Sequence, residues 1–282
     1  MTVNISNSRI QDYKCALINL NPEDPNMVDY QNNLSLKKAH SNTRAYITKN
    51  FTWNAKDNPS GSVLSEKIAK TFSEKKINEV SIIGHSQYYD NNNKPLPINK
   101  RALANASLID SVSVIVDIVL KYKVEKVKFY VCEMASYRRD NLDSSSLMKK
   151  KPAPYLPFKK IQNSLSQTDQ TIETSTEYSS LEYVAYQITK TLKAYDNRSI
   201  TVQGLNGIGF MSSATKDNHF RPKSLVITQE YYAKWLDLQK SLDHNSDKIK
   251  AVKDFEEKYT LPDHLAHKLQ YKIPPSEKRL TY

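Results

Sequence analysis

Two residues in this 282-residue chain have the type and placement to do covalent chemistry. His85 follows the apolar run in "VSIIGHSQ" (80–87), and Cys132 closes the alternating run "VEKVKFYVC" (124–132). A thiol beside an imidazole is a nucleophile beside its base: the thiolate attacks, and the imidazole takes its proton and later returns it to a leaving amine. Either residue alone reads more readily as structure, because histidines follow many strands and cysteine is among the most often buried types. The matched positions give the pair its weight.

Those positions depend on the elements between them. "YKCALINL" (13–20) is a short apolar run halted by the prolines and Asx residues of "NPEDPN", which predicts a buried strand followed by a loop. In "SVLSEKIAKTFSEKKI", Val63, Leu64, Ile68, Phe72 and Ile77 recur at helical spacing and lead into the strand "EVSIIG". "QYYDNNNKPLPINK" is turn-rich. The segment 106–123 is apolar on most faces, as a helix pressed on a sheet would be, and the alternation of Val127, Phe129 and Val131 with lysines and Tyr130 makes the next strand. Strand, crossover helix and strand form a right-handed βαβ unit with parallel strands, so His85 and Cys132 are expected at one sheet edge. Adjacent strands lie about 4.8 Å apart, close enough for the two side chains to meet.

An apolar strand ending in Gly-His, a helix, and an apolar strand ending in Cys resemble the caspase-like cysteine peptidases, whose caspase branch has its His roughly 50 residues before its Cys. "SIIGHS" and "KFYVCEMAS" are most similar to the inositol-phosphate-activated, self-cleaving peptidase domains of large bacterial toxins. The likeness spans about residues 10–240, with its specific part in those two stretches. It implies Cys132 as nucleophile, His85 as general base and acid, and an oxyanion site made by the backbone N–H groups of Cys132 and Ser86. The family usually has Gly directly after the His; Ser86 keeps the N–H but adds a side chain that crowds an approaching substrate. No orienting carboxylate is assigned, since nothing in their spacing separates Asp24, Asp29 and Asp57.

Composition limits the partners. With 41 Lys and Arg against 30 Asp and Glu, the net charge of +11 attracts polyanions. Zinc-finger spacing, ribonucleoprotein aromatics and heptads are missing, which argues against a dedicated nucleic-acid module. No stretch approaches the ~18–20 apolar residues of a membrane span, and the N-terminus lacks a signal design, so the chain is expected to be cytoplasmic where it is made. Two cysteines, Cys15 and Cys132, are read as free thiols rather than a disulfide framework. The segment 137–177 is polar and aperiodic and carries Arg138, Arg139, Lys149, Lys150, Lys151, Lys159 and Lys160. It reads as a long exposed loop: a solvated insertion, or a basic surface that binds a polyphosphate, moves, or is cut by the enzyme itself. In the resembled toxin domains the activating anion is inositol hexakisphosphate, and the same resemblance implies secretion into a host cell's cytosol. His264 and His267, three apart, supply too few ligands for a metal site. The lone G-x-G at 207–209 is read as a close backbone approach or a strand bend rather than a nucleotide fingerprint, and the resemblance implies that this region helps wall a substrate pocket.

The expected fold is an α/β three-layer sandwich with a mostly parallel central sheet, caspase-like in arrangement: one domain over 1–243 and a C-terminal helical extension over 244–282. The expected activity is that of a cysteine endopeptidase acting on a protein substrate or its own chain. Two alternatives stand beside it: a non-catalytic scaffold that holds phosphorylated ligands or acidic partners, and an acyltransferase using the same pair.

Overall fold

The computed structural model describes residues 12–41, 45–73, 76–90, 92, 94–135, 159–192, 196–216, 222–241, 246–260 and 269–275. Strand β1 (Tyr13–Asn19) leads through helix α1 (Pro25–Ala39) to β2 (Tyr46–Thr52), and α2 (Ser62–Phe72) leads to β3 (Glu79–Gly84). Three two-residue strands follow, β4 (Ser86–Gln87), β5 (Ala102–Leu103) and β6 (Ala106–Ser107), then α3 (Leu108–Lys121) and β7 (Lys126–Val131). Beyond them come α4 (Lys159–Ser164), α5 (Asp169–Glu173), α6 (Ser180–Thr191) and β8 (Ile200–Gly204). The hairpin β9 (Ile208–Lys216) and β10 (Pro222–Ile227), α7 (Gln229–Ser241), α8 (Ser246–Tyr259) and β11 (Leu269–Ile273) complete the order.

The central sheet runs β11-β8-β7-β3-β1-β2. All neighbouring pairs are parallel except β11 with β8. Apolar side chains on one face of the sheet, among them Ile18, Ile82, Phe129 and Val202, pack with Leu64, Ile68, Ile115, Val119 and Ile188 from α2, α3 and α6 into the main core. The other face is thinner: Leu17 and Ile83 meet Tyr30 and Leu34 of α1, with Met27 and Tyr130 packed alongside. Helices thus cover both faces of an α/β sheet.

That second face also carries charge. Glu79 is fully buried and ion-paired to Lys38 of α1, with Lys128 Nζ 3.4 Å away and Ser81 Oγ donating at 2.9 Å. Burial alone would raise the Glu79 carboxyl, yet the ammonium groups of Lys128 and Lys38 hold it below its ordinary value.

Helix α1 and strand β2 fall where the sequence shows only a loop and a polar stretch. Asp24 and Pro25 are an N-cap and a first-turn proline, and the buried stripe Tyr30, Gln31, Leu34 and Lys38 includes two polar residues that blur the apolar period. Gln31 Nε2 donates to the carbonyls of Leu17 (2.9 Å) and Phe51 (3.0 Å), so this polar residue fastens α1 to the sheet. The described part of the stretch read as a loop, 159–177, holds α4 and α5, anchored by buried Ile161 and Ile172. The stretch 244–282 is not helical throughout, because β11 follows α8 and pairs with β8 in the central sheet. No helix among the described residues is long and apolar enough to cross a membrane.

Candidate active site

In the strand order, the connection leaving β1 runs to β2 on one side and the connection leaving β3 runs to β7 on the other, so the chain departs from the C-terminal ends of these two neighbours in opposite directions. In open α/β sheets such a switch point leaves a crevice beyond the strand ends. Three candidate groups gather there: Asp24 from the β1–α1 connection, His85 directly after β3 and Cys132 directly after β7. Gly84 and Val131 are paired across β3 and β7, so His85 and Cys132 occupy the next position on adjacent parallel strands.

The backbone beneath His85 is laced to the β1–α1 loop. Leu20 N–H donates to Ile83 O at 2.9 Å, and Asn21 Oδ1 accepts the His85 N–H at 3.0 Å. A Cβ on Gly84 would lie 3.1 Å from both Asn21 Oδ1 and Leu20 Cβ, so the residue before the histidine stays small because the loop presses on it. The loop then delivers Asp24. One carboxylate oxygen caps α1 by accepting the Asn26 N–H at 2.9 Å; the other lies 2.7 Å from His85 Nε2. The hydrogen bond from His85 holds the Asp24 carboxyl below its ordinary value. An ionised carboxylate only accepts, so Nε2 carries the proton and Nδ1 is left as the imidazole's basic lone pair.

Cys132 follows from the pleat of β7. Val127, Phe129 and Val131 point into the main core, while Lys126, Lys128 and Tyr130 face α1, and the next residue on that second face is Cys132. Its thiol is half-buried and lies 3.8 Å from the Gly209 carbonyl of β9, to which it donates. Burial pushes the thiol up, so it rests protonated. Thiol and imidazole share no hydrogen bond; each faces the same cavity. Cys15, the other cysteine, is fully buried in β1, and burial pushes its thiol up to about 11.

The N–H groups expected to hold an oxyanion occupy the two strand ends. Ser86 faces Leu103 across the β4–β5 pair, and the neighbouring Ala104 N–H donates to His85 O at 2.9 Å. Bonded and non-bonded pairs alternate along such a ladder, so the Ser86 N–H points away from β5. The Ser86 hydroxyl does not line the cavity; it donates to the Cys132 carbonyl and ties the two strand ends together. Beyond the thiol the chain turns sharply. Glu133 sits in the left-handed region at φ +56°, and its N–H donates to Gly207 O at 2.8 Å.

The cavity itself holds about 410 Å³, within the usual range for ligand sites. His85, Gly84 and Cys132 form one wall. Met27 and Tyr30 of α1 and Tyr130 of β7 also line it, and Ile208, Gly209 and Phe210 of β9 with Tyr232 and Trp235 of α7 give it an aromatic wall. Tyr232 and Trp235 are stacked at 5.8 Å, and Phe210 lies 4.6 Å from the Trp235 ring. Trp235 is held by its indole N–H donating to Glu256 Oε1 at 3.1 Å.

Of the basic residues expected to hold an anion, Lys159 and Lys160 do not line this cavity. Arg138, Arg139, Lys149, Lys150 and Lys151 lie outside the described residues, as do His264 and His267. Lys159 and Lys160 begin α4, and Lys160 is engaged internally, 2.8 Å from Glu182 Oε1 and 3.1 Å from the Glu177 carbonyl. Among the described residues, no group of three or more His, Cys, Asp or Glu is arranged to hold a metal ion.

Asp24 and the aromatic wall are the elements the sequence did not yield. Asp24 had a usable signal, since Asp before Pro is a helix-start signature and a βα loop in a parallel sheet opens toward the strand ends. For the wall, the resemblance implied a pocket-lining role for the stretch around Gly207 and Gly209, but nothing marked Tyr232 and Trp235, because α7 reaches the cavity only through tertiary packing.

No protein-family model matches the chain, and no curated protein does. Among solved structures, the crystal structure of protein GSU0716 from Geobacter sulfurreducens is similar at 11% identity over 93% of this chain and 92% of that one, with a TM-score of 0.28. A likeness at that level defines neither a shared fold nor an activity.

Proposed function

We propose that the protein is a cysteine endopeptidase of caspase-like arrangement, with Cys132 as nucleophile, His85 as base and acid, and Asp24 as the residue that positions the imidazole. The supporting observation is that adjacent parallel strand ends bring His85 and Cys132 to one cavity while Asp24 engages the imidazole nitrogen that would otherwise be idle. A peptide carbonyl entering between thiol and ring completes the site. Nδ1 takes the thiol proton as sulfur bonds to the carbonyl carbon, and the electron pair of the C=O moves to oxygen. The N–H groups of Cys132 and Ser86 are the donors for that oxyanion. Asp24 stabilises the imidazolium, which protonates the leaving amine as the C–N bond breaks. Water, deprotonated by Nδ1, then adds to the thioester, and the C–S bond breaks to release the acid and restore the thiol.

A protonated resting thiol is compatible with this sequence, since dyad contacts in an empty site are often long and close only around substrate. The resemblance to the toxin domains extends the proposal to self-processing, to activation by inositol hexakisphosphate on the basic segment from Arg138 to Lys160, and to action in a host cell's cytosol after secretion. Incubation with and without inositol hexakisphosphate, read by intact mass, tests these extensions. New fragments that need both the anion and Cys132 support them, and an unchanged mass removes self-processing.

One observation favours a second reading. The thiol donates to the Gly209 carbonyl and not to the imidazole, as a structural cysteine would. Under that reading the protein is a binding scaffold. A peptide electrophile separates the two: selective reaction at Cys132, strongly slowed by His85→Ala, supports the peptidase, and equal sluggish labelling of both cysteines supports the scaffold.

A further inference from the structure

The cavity beside the thiol has a chemistry unlike the rest of the chain. The protein carries 41 Lys and Arg and a net charge of +11, yet no lysine or arginine is among the described residues that line this space. Its acidic charge comes from α1, where Asn26, Asp29 and Asn33 recur at helical spacing and line the space. Asp29 is exposed there, and its carboxylate has no hydrogen-bond or ion-pair partner among the described residues. Asn33 Nδ2 donates at 3.0 Å to the Asp29 backbone carbonyl and leaves the carboxylate unengaged. Asp24, by contrast, is occupied on both oxygens by Asn26 and His85, so Asp29 is the carboxylate left to meet an incoming group.

The same space is lined by the stacked rings of Tyr232 and Trp235, with Phe210 packed on Trp235. Aromatic faces attract cations through the ring quadrupole, and they pack equally well on methylenes. A cavity with apolar and aromatic walls, one unengaged carboxylate in its lining and no cation among the described lining residues suits a long aliphatic stem with a positive tip. It does not suit a carboxylate or a phosphate. Cys132 and His85 line the same space, so the side chain nearest the reacting carbonyl is the one that fills it.

We infer that this cavity is the specificity pocket for arginine or lysine at the residue whose carbonyl is attacked, with Asp29 as counter-charge and the Tyr232–Trp235 wall gripping the stem. The inference rests on the peptidase reading and names its substrate class. Acyloxymethyl ketone peptides that differ only in arginine, lysine, norleucine, leucine or aspartate at that position test it, with the Cys132 adduct followed by mass spectrometry. Arginine and lysine should react fastest and aspartate slowest. Asp29→Asn should reduce the arginine-to-norleucine rate ratio about three- to tenfold, the scale of a partly screened charge contact. Added salt should erode the wild-type ratio in the same direction. Asp29→Lys should shift preference toward aspartate. Norleucine or leucine reacting as fast as arginine, or a ratio indifferent to both Asp29 variants and to salt, overturns the pocket assignment while leaving the peptidase reading intact. Failure of every peptide to modify Cys132 in a His85-dependent way overturns both.

Discussion

Asp24→Asn isolates the role of the carboxylate behind His85, because asparagine caps helices about as well as aspartate and so spares the start of α1. The substitution removes a charge-assisted contact of 2.7 Å and replaces the obligate acceptor with a group that can also donate. For a buried carboxylate–imidazole pair the corresponding loss is roughly ten-thousand-fold in rate. Here the contact is open to water, with the Asp24 side chain 26% and the His85 side chain 54% exposed, which puts the expected effect far lower. A screened pair with one strong hydrogen bond is worth about 1–1.4 kcal/mol, or about five- to tenfold in the rate at which a peptide electrophile alkylates Cys132. Asp24→Ala should slow labelling similarly and also destabilise the fold by about 1 kcal/mol through the lost cap, lowering Tm by about 2–4 °C. The pH sign is fixed by the direction of the shift. The Asp24 carboxyl is held low in the folded state, so its contribution is present above the ordinary aspartate range and fades as pH falls through the lowered folded value. Asp24→Asn reacting at the wild-type rate with an unaltered pH profile would refute the positioning role.

Cys15 should stay unmodified in native protein at pH 7–8, because it is fully buried with its thiol pushed up to about 11, and should react only after denaturation; peptide mapping of alkylated native protein checks this. Glu79→Gln leaves Lys38 and Lys128 with no anion at a buried site and should cost roughly 3–5 kcal/mol in urea unfolding. That difference should shrink in acid, as pH falls through the lowered Glu79 value and the wild-type carboxylate is itself protonated. Gly207→Ala should destabilise by roughly 2–4 kcal/mol and slow Cys132 labelling. At φ +147° an added Cβ there would lie 2.5 Å from the Ile227 carbonyl oxygen, and Gly207 O accepts the N–H of the residue after the thiol.

Much of the scaffold was readable where a single period dominates. The alternation around Val127, Phe129 and Val131 marked β7, the stripe Leu64, Ile68 and Phe72 marked α2, and the apolar run before Gly84 marked β3. Those elements were enough to bring His85 and Cys132 to one edge. Helix α1 escaped because Gln31 and Lys38 are buried for polar reasons, one bonding strand carbonyls and the other pairing with Glu79. Missing α1 meant missing Asp24, since the residue that caps the helix is the residue that meets the imidazole. Strand β11 escaped because it adds to β8 from a distant part of the chain, a pairing fixed by the sheet edge and not by local pattern. The cavity's aromatic wall depends on how the β9–β10 hairpin and α7 are brought to the strand ends. In the sequence Phe210, Tyr232 and Trp235 are only scattered aromatics.

A crystal structure of the protein after reaction with an arginyl acyloxymethyl ketone tests the central claim most directly. The account predicts a thioether at Cys132 Sγ, the ketone oxygen facing the N–H groups of Cys132 and Ser86, the His85 ring beside it with Asp24 still behind, and the side chain between Asp29 and Trp235. No adduct at Cys132, or an adduct with the imidazole turned away to the far rim, would contradict it.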